Sequence, residues 1–317
     1  MSSPLHHRHH AMATWFEFRA AEGEIKYVQQ AFGEAFRLID RLEELLSRYR
    51  ETSEVCAIGQ LAPGESLVLH ADTFRCLELA LEMAELTGGA FDPALGAAVD
   101  RQRSGSLDTE LPVRGRLLLD PSGRSVTCDA APVSLDLGAI GKGFALDLAA
   151  ELLAEWDLGP CLLVGGGSSI LAVGNASGNA GEAVTAASRS AAHPWEVTLT
   201  SDSSVRLMRG SVGCSGLAVK GSHILDPRTG TPAQTPARAW ALAANAAVSD
   251  ALSTAFMVLS RDEIAALCDQ RPEVGAILQP DAASEELVRF GKALGVTHQF
   301  VRSTQAPSLN PAAVRRT

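Results

Sequence analysis

The chain has 317 residues and a mass of 33.3 kDa, with 46% hydrophobic and 20% charged residues and a mean hydropathy of +0.08. That composition suits a globular protein with a large core and a division into two lobes, and it excludes a disordered, collagen-like or disulfide-scaffold chain. The net charge of -10, from 27 basic and 37 acidic residues, argues against a general nucleic-acid binder, so an anionic small ligand would need a metal ion or backbone dipoles to hold it.

The first residues, MSSPLHHRHHAMATWF, contain neither a signal-peptide apolar core nor a lipobox-like cysteine. No apolar run of about 18 residues follows, so the expectation is a cytoplasmic protein without a membrane span. The cluster His6, His7, His9 and His10 reads as a disordered, solvated start extending to residue 11. Ile25, Val28, Phe32, Phe36, Ile39, Leu42 and Leu46 recur at spacings of three and four, which predicts one long amphipathic helix over 25–50. A second helix is expected from an N-cap at Asp72 to the stop at Gly88 and Gly89. Strand-like runs follow at 116–119, 125–128 and 133–137, then a helix over roughly 140–156 and a short buried strand at 161–164.

Residues 174–193 are small, polar and aperiodic, and read as a surface loop. Strands are expected at 195–200, 205–208 and 239–244, the last leading into a helix at 249–260. Residues 301–317 read as an untied tail. Helices and strands mix without strict alternation, so the fold class is α+β. The cysteines Cys56, Cys76, Cys128, Cys161, Cys214 and Cys268 lie far apart, without zinc spacing, as suits a reducing compartment.

Four segments carry chemistry. Residues 134–147 run from a strand through Gly138, Gly141 and Gly143 into a helix start, with Lys142 between the last two. Such a junction admits a ligand close to the backbone and offers N–H groups and a positive dipole to an anion. It matches neither the dinucleotide-binding nor the Walker A spacing, and taken alone a simple tight turn explains it. Asp250 and Thr254 are four apart at the opening of a helix, so their oxygens share a face and could form part of a Mg²⁺ shell. A helix cap from Ser249 or Asp250, with Thr254 bonded back to its own turn, is the simpler reading of that segment alone. In 221–230, turn residues follow His223, which is structural or catalytic. In 87–93, Asp92 either recognises a heterocyclic N–H or is a solvated turn residue.

Taken together and in order, these segments resemble the ApbE family of FAD:protein FMN transferases, from about Met12 to about Gly291. The resemblance rests on Met12-Ala13-Thr14, on 47–54 (S-x-Y-x-x-x-S-E), on 87–93 (TGGxFDP) and on 136–147 (DLGxxxKGxxxD). It continues through 212–216, 223–230 (HIxDPxTG) and 250–254 (DAxxT). It implies an α+β flavin-binding fold over residues 12–300, with a larger mixed α/β core and a smaller lobe. It also implies FAD as substrate, Mg²⁺ as cofactor, and transfer of FMN to a Thr or Ser hydroxyl of a target flavoprotein with release of AMP.

Carried over by position, the resemblance implies FAD contacts from Met12, Tyr49, Ala90, Phe91, Asp92, Asp136, Lys142 and Ile224. It implies a metal site of the Ala139 carbonyl, Asp250 and Thr254, and a catalytic pair of Asp250 and His223, the latter in proton transfer. The expected partner is a flavoprotein bearing a Ser/Thr acceptor motif, with no nucleic acid or membrane, and the chain is a monomer or homodimer. Three positions depart from the family pattern. Ser169 replaces an Asp and reads as a backbone-geometry site; Ser253 replaces a second acid found in some relatives; Cys214 replaces a Thr. The same residues would serve a Mg²⁺-dependent FAD pyrophosphatase if water replaced the acceptor, and a chain keeping only the cradle would be a non-catalytic FAD-binding protein.

Overall fold

The structure is a computed structural model and describes residues 5–97, 100, 115–174, 195–216, 226–229, 236–291 and 298–302, the last stretch as backbone only. Its centre is an eight-stranded sheet. In spatial order the strands are β1 (Leu5–Ala11), β2 (Thr14–Ala20), β6 (Cys161–Gly165), β7 (Ser169–Val173), β10 (Gly210–Gly216), β11 (Arg238–Ala243), β12 (Gly275–Gln279) and β13 (Val288–Phe290). Every neighbouring pair is antiparallel. Two smaller sheets flank it: β3 (Ser66–Val68), β5 (Ser125–Ala130) and β4 (Arg116–Asp120), and then β14 (His298–Arg302), β9 (Ser203–Leu207) and β8 (Trp195–Thr198).

The central strands read as continuous apolar runs because both sheet faces are covered. Along β6, Cys161 and Leu163 join the larger core, while Leu162 and Val164 turn to the opposite face. Trp240 and Leu242 of β11 do the same against Ala239 and Ala241. The larger core is closed by α1 (Ile25–Leu46), α3 (Ala71–Leu86), α4 (Gly141–Glu155) and α5 (Ala246–Ala255), with α2 (Glu54–Gly59) and α6 (Arg261–Gln270) beside them. Val197, Val205 and Leu207 of the β8–β9 sheet cover the other face. Mixed helices and antiparallel sheets are the expected α+β class.

The helix of α1 follows the periodicity: Val28, Phe32, Phe36, Ile39 and Leu42 are buried. It starts from the Glu24 side chain, which accepts the N–H groups of Lys26 and Tyr27. The second helix starts two residues earlier than expected, since His70, not Asp72, is its cap.

Three further expectations are corrected. Of the expected disordered start at 1–11, Leu5–Ala11 instead forms β1, and 1–4 lie outside the described residues. It pairs along its length with β2 through a two-residue turn in which Met12 and Ala13 have φ of 50° and 56°, the geometry that matches strand twist. His7 packs edge-on against Phe32, and His9 stacks on Phe36 and bonds Asp40 at 2.7 Å, so alternate imidazoles lie against α1. Residues 133–137 form no sheet strand, although Val133, Leu135 and Leu137 are buried. Their backbone is zipped instead to the preceding loop, by Gly96 N–H to Ser134 O and Asp136 N–H to Pro93 O. Finally, α5 begins at Ala246, three residues ahead of expectation, so neither Ser249 nor Asp250 caps it. Of the expected tail, Arg302 ends β14 and 303–317 lie outside the described residues, as does 175–193 of the expected loop.

Candidate active site

The two helices α4 and α5 meet at their first turns. Asn245 precedes α5 without a side-chain cap bond; the first N–H groups of the helix, those of Ala246 and Ala247, go to Asp147 Oδ1 and Oδ2 at 2.7 and 2.8 Å. Reciprocally, Gly143 N–H of α4 donates to Asp250 Oδ2 at 2.8 Å. That N–H belongs to the first turn of α4, whose N–H groups have no acceptor within the helix. Each carboxylate thus lies at the positive end of the partner helix, where negative charge is favoured. Burial pushes the Asp147 carboxyl up to about 6, against the pull of the Ala247 and Ala246 N–H groups, and the Asp250 carboxylate pushes it the same way.

This approach is possible because two positions lack a side chain. A Cβ on Gly143 would fall on the Ala246 carbonyl, and one on Gly213 of β10 would fall on the Ser249 carbonyl. The N-terminal half of α5 is therefore wedged between α4 and the sheet. Asp250 is 5% exposed there. Its Oδ2 also accepts the hydroxyl of fully buried Ser169 at 2.7 Å, so Ser169 contributes its side chain and not only backbone geometry. Ser215 Oγ lies 3.0 Å from Ser253 Oγ and 3.2 Å from Thr254 Oγ1. Ser253 Oγ bonds back to its own turn, at the Asp250 carbonyl.

Around this corner sit the other glycine turns. Gly166 N–H bonds Trp15 O at 2.9 Å, and Cys214 N–H bonds Ser168 O at 2.8 Å. These bonds bring the β6–β7 turn beside the Met12–Ala13 turn and β10. Lys142 lies against Gly165, and its Nζ reaches 3.4 Å from Gly138 O.

A second group is assembled through Arg48, which the sequence reading passed over. Its guanidinium donates to Asp136 Oδ2 at 2.9 Å, Asp100 Oδ2 at 2.5 Å and Gly96 O at 3.1 Å. Asp136 Oδ1 in turn accepts Gly138 N–H at 2.8 Å. The Asp136 carboxylate thereby fixes the entrance of the glycine turn, and its backbone ties that turn to 87–96. Ala90 and Phe91 have buried side chains, and Phe91 N–H is held by the Thr87 hydroxyl at 3.1 Å. Asp92 closes an Asx turn onto Ala94 N–H at 2.7 Å. Tyr49 is 67% exposed, with the Arg48 guanidinium 5.5 Å from its ring. Arg228, clamped by Asp226 and Glu263, lies against Gly89. His223 and Ile224 lie outside the described residues.

The oxygens of Asp250, Thr254 and the Ala139 carbonyl are hard donors of the kind Mg²⁺ takes, so the donor set fits that ion. No cluster of three or more His, Cys, Asp or Glu side chains able to hold a metal occurs among the described residues. A cation here would draw on one carboxylate, with hydroxyl, carbonyl and substrate oxygens completing its shell. None of the six cysteines forms a disulfide. No helix among the described residues is long and apolar enough to cross a membrane.

The ApbE family model matches residues 12–278. The FAD:protein FMN transferase of Treponema pallidum is 31% identical over 284 residues, covering 79% of this chain and 77% of that protein. Among solved structures, the ApbE protein of Thermotoga maritima superposes with a TM-score of 0.73 at 23% identity, covering 93% of this chain and 99% of that one. The flavin transferase ApbE from Vibrio cholerae gives a TM-score of 0.71 at 19% identity, covering 92% and 98%.

Proposed function

The chain belongs to the ApbE family, and from that premise we propose that it is an FAD:protein FMN transferase. Its reaction moves FMN from FAD to a Thr or Ser hydroxyl of a target flavoprotein and releases AMP. The observation that carries the reading is the bond from Gly143 N–H to Asp250 Oδ2. It joins the glycine turn suited to a diphosphate with the helix carrying the oxygen donors.

In the proposed reaction the acceptor oxygen bonds to the FMN-side phosphorus, the bond from that phosphorus to the bridging oxygen breaks, and AMP leaves with the bridging oxygen. Lys142, at the positive end of α4, binds the diphosphate and opposes its charge. Asp136, braced by Arg48, keeps that turn in shape. Ala90 and Phe91, with buried side chains, would meet the flavin through their main chain, beside Asp92, Met12, Tyr49 and Ile224. Ala139, Asp250 and Thr254 would hold Mg²⁺, which when bound supplies positive charge to the phosphoryl oxygens. His223 takes the proton of the attacking hydroxyl through its imidazole nitrogen, a contribution of about 10²–10⁴-fold for a placed general base. The nucleophile comes from the partner protein.

The test is to incubate the purified chain with FAD, Mg²⁺ and a target carrying a Ser/Thr acceptor. Covalent flavin on the target, with AMP in equal amount, is expected. FMN and AMP formed without any acceptor would make the chain a pyrophosphatase. FAD binding with neither AMP nor flavinylated target would make it a binding protein.

A further inference from the structure

Asp250 Oδ2 receives two donors, Gly143 N–H at 2.8 Å and the Ser169 hydroxyl at 2.7 Å. A carboxylate oxygen has two in-plane lone pairs, and these two bonds fill them. Oδ2 is therefore committed to the protein, and a cation that engages this carboxylate does so through Oδ1.

We propose that Ser169 is a specificity-determining positioning residue, whose hydroxyl restricts Asp250 to one-oxygen coordination and so favours Mg²⁺ over Ca²⁺. This rests on the reading of Asp250 as a cation ligand. Mg²⁺ is small and octahedral, binding oxygens at about 2.0–2.1 Å, whereas Ca²⁺ takes six to eight oxygens at about 2.3–2.6 Å and readily uses both oxygens of one carboxylate. A site that withholds one oxygen loses more for Ca²⁺ than for Mg²⁺.

The restriction is rigidly built. Ser169 is paired on both sides, to Gly165 of β6 and Gly213 of β10, and it is fully buried. The backbone of Asp250 is pressed against Gly213 from the other side. Turning the carboxylate to present both oxygens would strand a buried N–H and a buried hydroxyl together. Of the two donors, Gly143 N–H is backbone, so Ser169 is the half that a side-chain change can remove. An aspartate at the same place would add charge and, when ionised, could donate nothing to Oδ2.

The experiment titrates MgCl₂ and, separately, CaCl₂ into the full chain with bound FAD, by isothermal titration calorimetry, for wild type, Ser169→Ala, Ser169→Thr and Asp250→Ala. Ser169→Ala is expected to shift the Mg²⁺/Ca²⁺ affinity ratio toward Ca²⁺ by about tenfold, the scale of one charge-assisted hydrogen bond. Ser169→Thr keeps the hydroxyl and should hold the wild-type ratio. Should Ser169→Ala not fold, Ser169→Cys, a weak donor of similar size, is expected to give a smaller shift in the same direction. An unchanged ratio in the variant that lacks the hydroxyl, while Asp250→Ala loses cation binding, overturns the role of Ser169 alone. Wild-type cation binding in Asp250→Ala, or none in the wild type, overturns the assignment of Asp250 as ligand and this inference with it.

Discussion

The Asp147 carboxylate receives Ala246 and Ala247 N–H at 2.7 and 2.8 Å, while Asp250, one turn along that same helix, receives Gly143 N–H at 2.8 Å from the first turn of the helix of Asp147. Each acid caps the other's helix. Asp250, the proposed cation ligand, is thus seated by the bend it is proposed to work with, and a disturbance on either side reaches both.

Asp147 gives a pH signature. Burial raises its folded pKa to about 6, above an ordinary value of about 3.9. Between these values the native state binds more protons than the unfolded chain. The contribution of this group is therefore fully present below about pH 4 and lost as pH rises through about 6. Asp147→Asn cannot titrate, so the melting temperature of the variant minus that of wild type should climb from pH 4 to pH 7. Melts followed by circular dichroism measure this; a difference that falls over that window contradicts the assignment.

The glycine wedge predicts steric failure. Gly143→Ala and Gly213→Ala each drive a methyl onto a carbonyl of α5, and each should destabilise by about 1–3 kcal/mol or more, as overpacked cores do. Chemical denaturation reads the loss directly. Gly141→Ala is the control, because a Cβ there meets nothing within 4 Å.

Removing Asp250 separates cation chemistry from flavin binding. Asp250→Ala should abolish Mg²⁺-stimulated AMP release while keeping much of the FAD affinity. It strands Gly143 N–H and the Ser169 hydroxyl, at about 1–3 kcal/mol for each buried group left unmatched. Flavin fluorescence quenching and AMP chromatography on one preparation decide this. Undiminished turnover would remove Asp250 from the site.

Arg48 braces the glycine turn through Asp136. Arg48→Ala should weaken FAD binding about tenfold, the scale of a lost charged hydrogen bond. Arg48→Lys should restore little, since one ammonium cannot match the fork that meets Asp136, Asp100 and the Gly96 carbonyl. Wild-type FAD affinity in Arg48→Ala would show that the turn holds itself.

Local periodicity made α1 legible, because Val28, Phe32, Phe36 and Ile39 repeat on one face and that face is buried. It failed where the deciding partner is distant. The start of α5 has no cap of its own, and its cap lies 99 residues earlier at Asp147, so nothing near Ala246 signals a helix. In β1, His7 and His9 counted as polar, yet the His7 ring packs edge-on against Phe32 and the His9 ring stacks on Phe36. At 133–137 the alternation of Val133, Leu135 and Leu137 reported burial correctly, but burial does not require a ladder partner. The family was legible through the order of its motifs. Arg48 and Ser169 escaped because their roles lie in which acid each one grips.

The wedge of α5 between Gly143 and Gly213 also divides the molecule by how freely it can vary. The corner around Asp250 is cast in the same mould as the core, so a change there alters folding together with the chemistry proposed for it. The open ring of Tyr49 carries no such burden. Adaptation to a new acceptor would therefore be written at the rim, in residues the fold can spare.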